Sequence, residues 1–254
     1  MTNGREPLWA QPQQITPPKP WGYLSTFGWV LLAYVVATAV TVIALYLWDP
    51  ATLPANMDLS ALMKDAWYLG VSTIISDAVM VGFLCLVSRV GWRAKDYLAI
   101  NWPLRQEVTV ALISLVILLP LMDGLAYVSG QPIIPAFMTD IYKSAQSQGT
   151  LPLLWLAITV AAPVAEEIIF RGFIFRGWVR PSQRPMLGIL AVAALFAIIH
   201  FQYNWFGILQ VFMIGFLLTW TRWRSGSTLL PMVMHVVANT YAMLQVIVYL
   251  GWLS

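Results

Sequence analysis

The chain has 254 residues, 59% hydrophobic and only 10% charged, with a formal net charge of +3 and a mean hydropathy of +0.73. A water-soluble domain carries about a quarter of its residues as charges, so that class is excluded, and no basic stripe with interleaved aromatics is present to bind nucleic acid. One cysteine, Cys85 in the apolar run VMVGFLCLV, excludes an intramolecular disulfide or a thiolate metal cluster.

In chain order, residues 1–26 read as a disordered cytosolic tail, polar and proline-containing, without an apolar run ending at a small-residue cleavage site. Seven apolar stretches long enough to cross a hydrocarbon core, and so about seven transmembrane helices, then follow near 27–47, 67–88, 108–128, 152–175, 186–201, 205–221 and 228–250. The fifth and sixth are short. Only Gln202 to Asn204 separates them, which predicts a tight antiparallel hairpin. The loop at 129–150 contains Pro132 and Pro135 and predicts an interfacial helix starting near Ala136. The expected fold is therefore an all-α polytopic bundle: N-terminal transmembrane helices and an outer loop over 27–150, then a core over 151–250.

Basic residues orient this bundle, because cytoplasmic loops are enriched in Lys and Arg. With the N-terminus inside, eleven of the fourteen lie in inner segments, from Arg5 and Lys19 to Arg222 and Arg224. Outer loops hold only Lys64 and Lys143, and Arg171 alone falls within a span. The pattern places the C-terminus outside.

The fourth stretch, AAPVAEEIIFRGFIFRGW, carries Glu166, Glu167 and Arg171. Facing lipid, the three would cost on the order of 8 to 10 kcal/mol, so they must face protein or a water-filled cavity. Glu167 and Arg171 are spaced i, i+4 with the acid first, the better orientation for an ion pair. Glu166 points about 100° away and remains available to water or substrate. Pro163, one turn earlier, should kink the helix beside the acids.

Both histidines fall inside predicted spans, His200 in LFAIIHF and His235 in PMVMHVVAN. An intramembrane ionisable group is by default a functional candidate. Asn239 follows His235 at i+4, and Phe196 precedes His200 at i−4, placing each pair on one helix face. Helical rise puts Glu166 and His200 at roughly 21 to 23 Å from the inner side, and His235 at roughly 16 Å, so the three can meet. Asp77 and Asp123 lie in spans as well; bundle partners account for them equally well, and they are left out of the site.

The order EExxxR, FxxxH, HxxxN, read as Glu166, Glu167 and Arg171, then Phe196 and His200, then His235 and Asn239, resembles the CPBP family of CAAX proteases and bacteriocin-processing enzymes, which includes the type II CAAX prenyl proteases. The likeness covers roughly residues 150–245. It implies an intramembrane endopeptidase in which Glu166 and His200 activate a water, while His235 and Asn239 stabilise the oxyanion. Glu167, Arg171 and Phe196 support them. Members of this family have been described as metalloproteases, which would use Zn2+ on Glu166, His200 and His235. Metal-free catalysis is favoured, because no HExxH helix exists, the histidines sit on separate helices and Glu167 is committed to Arg171.

Two other classes would also bury acids and histidines: an ion or proton transporter, and a catalytically silent membrane scaffold. Neither inverted repeats nor paired broken helices support the former. The partners expected are the lipid bilayer and a protein or peptide substrate, lipid-modified or membrane-associated, with no nucleic acid. A bacterial inner membrane is the expected location.

Overall fold

The computed structural model describes residues 21–48, 62, 64–179 and 185–253. Residues 1–20 of the expected tail, and Arg180 and Arg184, lie outside the described residues. Among the described residues the regular structure is entirely helical, and six helices are long and apolar enough to cross a membrane. The molecule is a polytopic membrane-spanning bundle.

Helix α1, Tyr23–Trp48, starts a few residues before its predicted span. Ala33, Ala37 and Thr41 recur at i, i+4 and are buried. These small side chains let the backbone approach α2, Ala66–Ser88, whose Met80, Leu84 and Val87 share a core cluster with Ala33 and Ala37. The opposite face is outward and apolar, with Leu24 88% exposed and Tyr34, Val35 and Ile43 also exposed, as a lipid-facing surface requires.

Asp65 caps α2 by accepting from the Tyr68 amide at 2.8 Å. A one-turn helix α3, Ala94–Tyr97, leads to α4, Arg105–Val128. In α4 the buried residues Ala111, Leu115, Leu119, Met122 and Ala126 form one stripe, of which Ala111, Leu115 and Leu119 pack with Leu218, Leu230, Met234 and Ala238. The helix expected near Ala136 is present as α5, Ala136–Gln148, ended by Gly149 at φ 69°. Its Met138, Ile141 and Ala145 pack with Ala66, Leu154, Met243 and Val246.

Helix α6, Leu151–Trp178, is the central element. Two stretches within it are π-helical, Ala157–Ala161 and Ile168–Ile174, and every residue from Glu167 to Phe175 is buried. The π turn just ahead of Pro163 is where the expected disturbance falls.

Helix α7, Pro185–Ile198, has 14 residues and so reaches about 21 Å, short of a hydrocarbon core of roughly 30 Å. It pairs with α8, Trp205–Ser225, as the predicted hairpin, and α9, Leu229–Leu253, follows. The connection is longer than expected, running from residue 199 to 204. The His200 amide closes a tight turn onto Ala197 O at 3.1 Å, and Asn204 caps α8 by accepting from the Gly207 amide at 2.8 Å. His200 therefore stands in the connection, not within a spanning helix. A second departure concerns Arg176 and Arg222, assigned above to inner segments: both lie in helical last turns, and Arg222 is buried. A guanidinium on a long stem tolerates burial where fixed acceptors and aromatic faces meet it.

Candidate active site

The site is assembled around α6. Arg171 and Glu167 are completely buried and paired, Nη1 to Oε1 at 2.7 Å. Arg171 also donates from Nη2 to Gly215 O at 3.0 Å and from Nε to Thr219 Oγ1 at 3.3 Å, and its Cζ lies 4.3 Å from the Phe196 ring centroid. Each guanidinium nitrogen thus has an acceptor. Gly215 is required here because a Cβ would meet Phe196 at 2.8 Å.

His235 on α9 inserts between the two acids. Its Nδ1 lies 2.9 Å from Glu167 Oε1 and its Nε2 3.7 Å from Glu166 Oε2. The shared oxygen already accepts from Arg171 as a carboxylate, so Nδ1 of His235 must be the donor. Glu167 therefore holds both the frame and the histidine. Glu166, with its side chain 22% exposed, is the more accessible of the two carboxylates.

His200 approaches from the α7–α8 connection. Its Nδ1 lies 2.8 Å from Phe196 O. A carbonyl only accepts, so Nδ1 carries a proton, and in the neutral imidazole the lone pair is then on Nε2. Phe196 joins the two halves of the site: its ring centroid lies 4.8 Å from that of His200 and 5.7 Å from that of His235. Glu166, Glu167, Arg171, Phe196, His200 and His235 therefore gather in one region.

Asn239 binds elsewhere along α6. Its Nδ2 donates to Ile158 O at 2.8 Å, and the local backbone explains why. The Ala162 amide, the normal i+4 donor to Ile158, is directed to Ala157 O by the π turn. The i+5 residue is Pro163, which has no N–H. Ile158 O is left without a donor inside its own helix, and Asn239 supplies one. The second π stretch repeats the device. The Phe175 amide is spent on Phe170 O, and Arg222 Nε donates to Arg171 O at 3.0 Å.

Thr219, Gly215, Arg222 and Tyr203 also belong to this neighbourhood, and the sequence reading did not select them. A basic residue one turn inside an apolar helix end was the available signal for Arg222; the others carry none. Asp77 on α2 lies within electrostatic reach of Glu166, and its Oδ2 is buried without a hydrogen-bond partner. Asp123 is accounted for by packing partners, accepting from Tyr241 at 2.5 Å and Gln245 at 2.7 Å.

The zinc alternative does not fit this arrangement. Among the described residues no three His, Cys, Asp or Glu side chains converge as metal ligands.

Residues 148–241 match the family model described as Type II CAAX prenyl endopeptidase Rce1-like. Curated relatives include an uncharacterized 24.3 kDa protein of Escherichia coli, 34% identical over 112 residues, which are 42% of this chain and 50% of that one. The uncharacterized protein YyaK of Bacillus subtilis is 29% identical over 110 residues, 39% of this chain and 36% of the relative. The UPF0177 protein YxdF of Lactococcus lactis is 24% identical over 95 residues, 37% and 51% respectively. The chain thus spans about half the length of these relatives, or less. No solved structure matches it. The matched segment contains Glu166 and Glu167, Phe196 and His200, and His235 and Asn239, so over residues 148–241, and with all three motifs inside the match, this chain is similar to the Rce1-like family.

Proposed function

We propose that the protein is an intramembrane endopeptidase, with residues 151–250 as its catalytic core and Glu166, His200, His235 and Asn239 as the reacting groups. The observation that carries this reading is the division of labour between adjacent carboxylates. Glu167 takes both Arg171 and His235 on Oε1 and is fully buried, which leaves the partly exposed Glu166 as the base.

Peptide hydrolysis without a nucleophilic side chain needs a base for water, an acid for the leaving amine and donors for the oxyanion. Glu166 takes a proton from water as the oxygen attacks the scissile carbonyl. Nε2 of His200, which bears the lone pair, accepts the water's other hydrogen and orients it. The tetrahedral oxyanion then forms near His235 and Asn239. With Nδ1–H given to Glu167, donation from His235 Nε2 requires the imidazolium, a cation held beside two carboxylates and suited to a developing negative charge. Asn239 has a second N–H beyond the one on Ile158 O. On collapse the C–N bond breaks and the proton held by Glu166 passes to the leaving amine. A zinc ion, if bound, would polarise the scissile carbonyl; the donor geometry does not support routing any step through it.

The substrate is proposed to be a membrane-associated protein or peptide, and the location a bacterial inner membrane, in keeping with the bacterial relatives. Purified protein in detergent or liposomes should cleave members of a peptide library, with and without a prenylated cysteine. Glu166→Ala and His200→Ala should each lower kcat/KM by about a hundredfold or more. Undiminished cleavage by folded Glu166→Ala protein would sink this mechanism.

A further inference from the structure

Tyr203 lies in the α7–α8 connection, outside the three motifs. Its ring is nearly parallel to that of His200, at 16° with centroids 6.2 Å apart, while Phe196 packs against His200 at 4.8 Å. The imidazole is therefore flanked by two aromatic rings, with Nδ1 tied to Phe196 O. Tyr203 is itself backed by Phe137 of α5, edge to face at 6.3 Å and 77°. Two further features hold this stack. Gly207 gives the room it needs, since a Cβ there would come within 2.8 Å of Tyr203 Cβ. The connection is also tied to the segment before α5, Asn204 Nδ2 donating to Gln131 Oε1 at 3.4 Å.

We infer that Tyr203 is a positioning residue: together with Phe137 it forms an aromatic relay by which α5, an element outside most of the family match, holds the His200 imidazole in the tautomer and orientation the proposed hydrolysis uses. Flat rings restrict imidazole rotation without competing for Nε2, which stays open to water. Burial, with Glu166 nearby, pushes the Tyr203 phenol up to about 12, so the ring stays neutral and adds no charge beside His200. The relay rests on the endopeptidase reading for its purpose, but its geometry can be tested without it.

The chain has two histidines, so 15N-histidine NMR of the whole protein in micelles resolves both imidazoles, and His235→Gln assigns them. The wild type should show His200 with the proton on Nδ1. Tyr203→Leu and Phe137→Leu should give a mixed tautomer population at His200 and leave His235 unchanged, whereas Tyr203→Phe should keep the wild-type spectrum. In the cleavage assay Tyr203→Leu should lower kcat about tenfold or more with KM within about twofold, and Tyr203→Phe should restore kcat to within about threefold. Gly207→Ala, which displaces Tyr203 without touching His200, should resemble Tyr203→Leu. An unchanged His200 tautomer in both Leu variants overturns the relay, whatever the protein cleaves. Absence of cleavage by the wild type, with the tautomer response intact, counts against the endopeptidase reading and leaves the relay standing.

Discussion

At the scale of single residues, Arg171 shows why charge can be buried in this bundle at all. Its guanidinium is bound by a carboxylate, a backbone carbonyl and a hydroxyl, and is covered by Phe196. A lysine cannot reproduce this fork, because an ammonium is a point charge without planar, directed donors. Arg171→Met should destabilise the protein by about 3 to 5 kcal/mol, the cost of leaving a buried ion without its partner, and Arg171→Lys by less, because the ammonium still faces Glu167. Glu167→Gln combined with Arg171→Met should recover more than half of that loss, since the uncompensated charge is removed while an oxygen remains for His235. Unfolding in mixed detergent micelles measures both, and a double variant no better than Arg171→Met would show that the guanidinium's other contacts dominate. The Glu167–Arg171 pair was legible in the sequence because four residues on one helix determine proximity. The insertion of His235 between the acids was not, because 68 positions separate it from Glu167 and only the packing of α9 on α6 sets that distance.

At the scale of elements, the membrane removes water as a partner for loose backbone groups, so each freed carbonyl must find a protein donor. Helix α6 contains two such places, and neighbouring helices answer both: α9 through Asn239 and α8 through Arg222. The π turns thereby become docking points that fix α8 and α9 against the acids. Pro163 marked a helix disturbance in the sequence, but not its form, because the widening depends on a donor 81 positions away in the chain. Pro163→Ala should test this. The new N–H offers Ile158 O and Thr159 O a donor inside α6, and removing an internal proline spares about 3 kcal/mol of intrinsic helix cost. The expected result is equal or greater thermal stability, with kcat/KM lowered about tenfold or more as the tie to Asn239 loosens and α6 rewinds. Higher stability with full activity would mean that the wide turn persists without the proline.

At the scale of the whole molecule, two ends of the bundle can be identified without reference to charge. At one end, Thr228 binds Leu98 O at 2.6 Å and Ser227 binds Asn101 O at 2.6 Å, and Tyr97 packs on Phe173. The α2–α4 connection, the end of α6 and the α8–α9 turn therefore meet there. At the other end, Gln148 and Ser144 of α5 bind Asp65 and the first amides of α2, and Asn204 binds Gln131. Among the described residues the basic side chains other than the buried Arg171 sort onto these ends: Arg89, Arg93, Lys95, Arg105, Arg176, Arg222 and Arg224 lie toward the first, Lys64 and Lys143 toward the second. The segregation was readable from the sequence even though the length of α7 was not, because loop charge follows chain order while helix ends depend on local caps such as Asn204. An excess of basic residues marks the cytoplasmic side. In a Cys85→Ala background, a membrane-impermeant maleimide should therefore label Lys143→Cys in intact cells, and Lys95→Cys only after the membrane is opened. The reverse pattern would put α5, Tyr203 and the His200 turn on the cytoplasmic face, and the proposed protease would then draw its substrates from the opposite side of the membrane.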